Sequence, residues 1–88
     1  MSVVQALADK LADDVLAAEG ELEDDRFYEK VSRVLLAASP TFQEAYITSI
    51  RVRLAERRGR EYLEKALKAK RSGEALPDAP RDTSGSGH

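Results

Sequence analysis

The sequence contains no cysteine and no tryptophan, and its single histidine, His88, is the last of 88 residues. Without cysteine the chain has no disulfide, no thiolate metal ligand and no thiol nucleophile. Without an internal histidine or a glycine-rich phosphate loop, the usual nucleophile and acid-base combinations of enzymes cannot be assembled. We therefore expect no enzymatic activity, no catalytic residue and no bound cofactor.

Long apolar runs are also lacking. No segment approaches the roughly 20 apolar residues that a membrane span needs, and the amino terminus lacks the basic-then-apolar pattern of a secretory signal. These absences predict a cytoplasmic chain with no membrane partner. The acidic run EGELEDD, which begins at Glu19, lacks the alternating oxygen ligands of a calcium loop, so we expect a solvated linker there and no metal site.

The residues that are abundant favour helix. Alanine, leucine, glutamate, lysine and arginine dominate, and the three prolines all lie at or beyond residue 40. Apolar residues recur at three- and four-residue steps in three segments, and no segment shows the period-two alternation of a strand. The sequence predicts an all-α small helical bundle. Its two short helices and one long helix should cover residues 3–19, 24–38 and 42–71.

Capping signals mark the expected ends of these helices. Ser2 and Thr41 each precede Gln or Glu by three residues, which is the spacing of a capping box. Gly20 favours the end of the first helix, and Pro40 favours the end of the second because the residue before a proline avoids helical geometry. The acidic residues expected to cap the second helix are Asp24 and Asp25.

The three helices are predicted to form one domain, residues 1–72. The tail that follows, residues 73–88, is rich in proline, glycine, serine and aspartate, which predicts disorder. Its SGSGH ending is typical of an appended sequence, in which case the histidine has no role. A domain this short buries only about 60% of the surface of its unfolded chain, so we expect a second chain to complete the core, as a homodimer.

The long helix changes its apolar side along its length. At about 100° per residue, its apolar side chains up to Leu54 lie on one side and those from Ala55 onward lie nearly opposite. A continuous helix whose second half faces another chain would explain this, and so would a helix that breaks or kinks at Gly59 and folds back; we favour the continuous helix. The candidate dimer or partner surface, which we name the association strip, comprises Tyr62, Leu63, Ala66 and Leu67.

Arginine is concentrated in the same helix. Arg53, Arg57 and Arg60, which we name the arginine line, are spaced to lie on one helical face. Guanidinium groups suit phosphate oxygens, so this line is a candidate site for nucleic acid or a phosphorylated partner. The alternative, favoured by the net charge of −2, is that the line pairs with the acidic linker, residues 19–25, of the same chain or of a partner, or stays solvated.

These features together predict a non-catalytic module for protein–protein interaction. It would be a small regulator or accessory subunit that self-associates through the association strip. The alternative is a nucleic-acid-associated regulator that uses the arginine line.

Overall fold

The structure is a computed structural model that describes residues 2–80. The described residues form three α-helices and no strand, which confirms the predicted all-α bundle. The longest helix is continuous through Gly59, so the alternative of a break at this glycine is wrong. Residues 73–80 form neither helix nor strand, and the remainder of the predicted tail, with His88, lies outside the described residues. The helices are α1 (Val3–Leu22), α2 (Phe27–Ala38) and α3 (Pro40–Ser72).

Serine side chains cap two of these helices. The Ser2 hydroxyl oxygen accepts a hydrogen bond from the amide three residues later at 3.0 Å, as predicted. The prediction of Thr41 as the cap of α3 is wrong, because the Ser39 hydroxyl oxygen accepts from the Phe42 amide at 3.2 Å. Pro40 is then the first helical residue, a position that suits proline because its missing N–H would have no partner there.

The first helix ends later than predicted. Gly20 lies inside α1, and Glu23 takes the left-handed conformation that terminates the helix, with φ 54°. The amides of Glu23 and Asp24 donate to the carbonyl oxygens of Gly20 and Glu19 at 3.2 and 3.1 Å, the two hydrogen bonds of a Schellman ending. The left-handed conformation costs a residue other than glycine about 1 kcal/mol. The sequence therefore favoured a helix end at Gly20 over one at Glu23.

The second helix begins on a carboxylate from the first. Of the two predicted caps, Asp24 accepts a hydrogen bond from the Arg26 amide at 3.0 Å just before α2, whereas the first turn of the helix is capped by a Glu19 carboxylate oxygen, which accepts from the Tyr28 amide at 3.0 Å. Glu19 is buried beside the start of α2, where the unpaired amides and the helix dipole favour a negative charge. One side chain thereby joins the end of α1 to the start of α2.

The described chain forms two compact units, one ending at Ala55 and the other beginning at Glu56. The first unit contains the core. Tyr46 and Ile50 of α3 are fully buried there, and the Tyr46 hydroxyl donates a hydrogen bond to the Tyr28 carbonyl oxygen at 3.1 Å. Burial raises the pKa of Tyr46 to about 12. The buried apolar residues of this unit are Ala8, Ala12, Val15, Leu16, Tyr46, Ile47 and Ile50.

The apolar residues that recur at three- and four-residue steps form a stripe along each helix, and some of them remain exposed. They are Val4 and Leu7 near the start of α1 and Val34 on α2. Leu7 and Val34 lie at the edges of their stripes, where a neighbouring helix gives less cover than it gives at the centre. Within residues 2–80, no helix is both long enough and apolar enough to cross a membrane.

Candidate functional site

The association strip lies on the part of α3 that belongs to the second unit. Tyr62, Leu63 and Leu67 are 36%, 52% and 43% exposed, and Ala66 is half-buried. Because α3 is continuous here, the four side chains share one helical face, as their spacing predicts. Ala69 is the one buried residue among the described residues of this unit. The strip is therefore an apolar helix face that is still largely exposed.

The chain reverses direction directly after α3. Gly73 has φ +79°, a left-handed conformation that glycine adopts at little cost. The Glu74 amide donates to the Ala69 carbonyl oxygen at 2.9 Å, which satisfies one of the last carbonyl groups of the helix. The last residue of α3 is Ser72, one residue beyond the end that the sequence predicted.

The residues after this reversal lie against α3. We name residues 74–77 the C-terminal strap. The Tyr62 hydroxyl donates a hydrogen bond to the Pro77 carbonyl oxygen at 2.9 Å, so the strap contacts a member of the association strip. Sequence reasoning missed this contact, and the glycine that reverses the chain was the only local signal for it.

In the first unit, Arg53 of the arginine line joins α3 to α1. Its Nε donates to an Asp13 carboxylate oxygen at 2.6 Å, its Nη1 lies 3.6 Å from Asp9, and it donates to the Ser49 hydroxyl. The Arg53 hydrogen bond lowers the pKa of Asp13, and the Ser49 hydroxyl is the main cause of a lowered Asp9 pKa. Arg53 therefore pairs with α1 carboxylates rather than with the acidic linker of its own chain.

The other two arginines of the line belong to the second unit. Arg60 donates through Nε to a Glu56 carboxylate oxygen one helical turn earlier, at 2.9 Å, and this hydrogen bond raises the pKa of Arg60. Arg57 is exposed and forms no ion pair with any described residue. Two of the three guanidinium groups of the line are thus engaged by carboxylates of the same chain.

Two further kinds of site could occur in the described residues, a metal site and a cleft between helices. Within residues 2–80, no three histidine, cysteine, aspartate or glutamate side chains are grouped so that they could hold a metal ion. A cleft of about 310 Å³ lies between α2 and α3 in the first unit, and the Gln43 amide donates to the Ser32 hydroxyl inside it at 2.8 Å. The residues that line this cleft are Tyr28, Glu29, Ser32, Gln43, Ile47, Arg51 and Leu54.

The fold and the site together define an all-α helical bundle that carries an exposed apolar helix face. The chain matches no family model, no curated protein and no solved structure. The functional argument therefore depends on the contacts, exposure and charges of this chain.

Proposed function

We propose that this protein is a non-catalytic helical interaction module that self-associates through the association strip. It would act as a small regulator or accessory subunit. A cytoplasmic location is part of the proposal and is compatible with a chain that has no cysteine. The observation that carries the proposal is the exposure of Tyr62, Leu63 and Leu67 on one helical face.

An isolated helix face of this kind favours association. Helices obtain most of their stability from packing an apolar face, and the described part of the second unit buries one alanine. Covering the exposed fractions of Leu63 and Leu67 would contribute about 1 kcal/mol for each side chain. A second copy supplies the same strip, and two-fold symmetry is the commonest arrangement of identical chains, so a homodimer is the simplest cover.

Charge gives this association a diagnostic salt dependence. Residues 56–72 carry seven basic and three acidic side chains, so two copies of this segment repel each other. Salt screens that repulsion and leaves the apolar contact intact, so self-association should become tighter as ionic strength rises. Binding to nucleic acid has the opposite dependence, because salt weakens phosphate contacts.

The arginine line supports the alternative function less well. Arg53 and Arg60 already pair with Asp13 and Glu56, and nucleic acid would have to compete with those carboxylates. The alternative stays a prediction that a fluorescence anisotropy titration with duplex DNA or RNA can test. Binding at low ionic strength that falls steeply with salt, and is lost in an Arg57→Glu variant, would favour it.

The test of self-association is a charge placed in the strip. We expect the double variant Leu63→Asp/Leu67→Asp to raise the dimer dissociation constant at least about 100-fold, because each substitution occurs twice in a symmetric interface. Sedimentation velocity over a range of protein concentrations measures the change. Circular dichroism checks that the first unit remains folded.

Leu36→Asp provides a matched control. Leu36 on α2 is 52% exposed, the same fraction as Leu63, so both substitutions place a carboxylate at an equally accessible leucine. The control should associate like the unmodified protein. Equal behaviour of the control and the double variant, or a protein that stays monomeric at millimolar concentration, would refute the proposal.

A further inference from the structure

The C-terminal strap returns along the same helix that carries the association strip. Tyr62 precedes Ser72 by ten residues, which is about 15 Å along a helix. The five residues from Gly73 to Pro77 can span at most about 16 to 18 Å. The strap is therefore long enough to run back along α3 and bring the Pro77 carbonyl oxygen within 2.9 Å of the Tyr62 hydroxyl.

The strap has further contacts with the helix. Ala69 is 6% exposed although it lies on a helix, and it shares a small cleft of about 220 Å³ with the strap. Pro77 is half-buried, and the Glu74 amide bonds to the Ala69 carbonyl oxygen. The residues that line the cleft are Lys65, Lys68, Ala69, Glu74, Ala75 and Pro77.

These contacts divide the association strip into two parts. On the helical wheel Ala69 lies beside Tyr62, whereas Leu67 lies well away from both. The strap therefore borders the strip on the side of Tyr62, and Leu63 and Leu67 stay about half exposed on the other side. A second copy that packs on the whole strip has to displace the strap from Tyr62.

We infer that the C-terminal strap is an intramolecular competitor that limits self-association through the strip. This inference rests on the proposed function, because it concerns the regulation of the same surface. In the closed form Tyr62 donates its hydrogen bond to Pro77 within the chain. In the open form the strap leaves, and the Tyr62 edge of the strip becomes available to a second copy.

The strap is held weakly enough to act in this way. Its tie to the strip is a single exposed hydrogen bond, and Leu76 within the strap is 60% exposed, so it adds little burial. A hydrogen bond of this kind shifts an equilibrium by about fivefold. The strap should therefore reduce the affinity of self-association without abolishing it.

Two variants open the strap in different ways. Tyr62→Phe removes the hydroxyl that bonds to Pro77 and keeps an aromatic ring in the strip. Gly73→Val leaves the strip unchanged but opposes the reversal, because a β-branched residue is strained at φ +79°, although there is open space for its Cβ. An effect shared by both variants cannot come from the altered ring alone.

Matched controls exist for both variants in the first unit. Tyr28→Phe makes the same chemical change at another tyrosine. Gly20→Val makes the same change at a glycine inside α1, which lacks a positive φ and also has open space around it. Neither control alters the strap or the association strip.

The experiment is sedimentation equilibrium on the full chain and these four variants in moderate salt. We expect Tyr62→Phe and Gly73→Val each to lower the dimer dissociation constant about 25-fold, because a strap opens on each of the two copies and each opening contributes about fivefold, with both controls unchanged. Unchanged or weaker association of Gly73→Val would overturn the strap as a competitor while leaving self-association intact. If neither the unmodified protein nor any variant dimerises at millimolar concentration, the strap and the proposed function both fail.

Discussion

The two units place the same kinds of side chain of one helix in different surroundings. In the first unit, Tyr46 and Ile50 of α3 are fully buried in a core to which three helices contribute. In the second unit, Tyr62 and Leu63 of the same helix are 36% and 52% exposed. Aromatic and aliphatic residues at helical spacing therefore form a core in one unit and an accessible surface in the other.

The hydrogen bonds and ion pairs of the two units differ in the same way. In the first unit, Glu19 caps another helix and Arg53 pairs with a carboxylate of another helix. In the second unit, Arg60 pairs with Glu56 on its own helix. The first unit is stabilised by tertiary contacts, whereas the stability of the second depends on local helical contacts and on whatever covers its strip.

Truncating one buried and one exposed side chain should give the largest difference between the units. Ile50→Ala should lower the free energy of unfolding by about 3 kcal/mol, because it leaves a cavity in a closed core. Leu67→Ala should lower it by less than about 1 kcal/mol when the protein is dilute and monomeric. Urea denaturation followed by circular dichroism measures both values. Equal losses for the two variants would contradict the view that α3 packs in a closed core only in the first unit.

Removing the Glu19 cap of α2 should lower the free energy of unfolding by less than Ile50→Ala does. Glu19→Ala should cost about 1 to 2 kcal/mol, because it leaves the Tyr28 amide without its carboxylate partner. The matched variant Glu21→Ala changes an exposed glutamate of the same helix and should stay within about 0.5 kcal/mol. Urea denaturation at pH 7 compares the two. A similar cost for both would show that the cap does not stabilise the first unit.

Removing an ion pair should change the stability of the protein least. The contribution of the Asp13–Arg53 pair can be identified by its dependence on pH. The pKa of Asp13 lies below its usual 3.8 because Arg53 donates a hydrogen bond to it. A lowered folded-state pKa stabilises the protein above about pH 4, and this stabilisation is lost as the pH falls through the folded-state value. Asp13→Asn should therefore lower the urea midpoint at pH 7, and this effect should shrink as the pH falls through the folded-state pKa.

Glu56→Gln is the corresponding change in the second unit. It removes an ion pair between two exposed residues four apart on one helix, where solvent screens most of the attraction. We expect its effect on the urea midpoint at pH 7 to be smaller than that of Asp13→Asn. A larger effect would contradict the view that contacts between helices stabilise the first unit more than local contacts stabilise the second.

Most of the fold could be predicted from local sequence. Apolar spacing predicted three helices, the Ser2 cap was placed correctly, and the end of α3 was placed within one residue. The errors fell at helix ends, where Thr41 and Gly20 carried plausible signals. Ser39 with Pro40, and the left-handed Glu23, proved to be the actual boundaries. Competing signals within a few residues are decided by small energies, which local sequence does not rank reliably.

The candidate site was predictable in part. The exposure of Tyr62, Leu63 and Leu67 agrees with the change of apolar side along α3 that the spacing predicted. The strap was missed because the tail was expected to be disordered. The contact of Arg53 with Asp13 of α1 was also not predicted, because the acidic linker was the densest group of carboxylates in the sequence.

The sequence by itself determined the class of fold, the continuity of spacing along α3 and the residues of the association strip. These features depend on contacts between residues three or four apart, which periodicity reports directly. The tertiary structure decided which distant groups meet. Glu19 caps α2 from nine residues away, Tyr62 bonds to Pro77 fifteen residues later, and Arg53 reaches an aspartate forty residues earlier. Such contacts depend on how the packed chain places its segments in space, which no local pattern encodes.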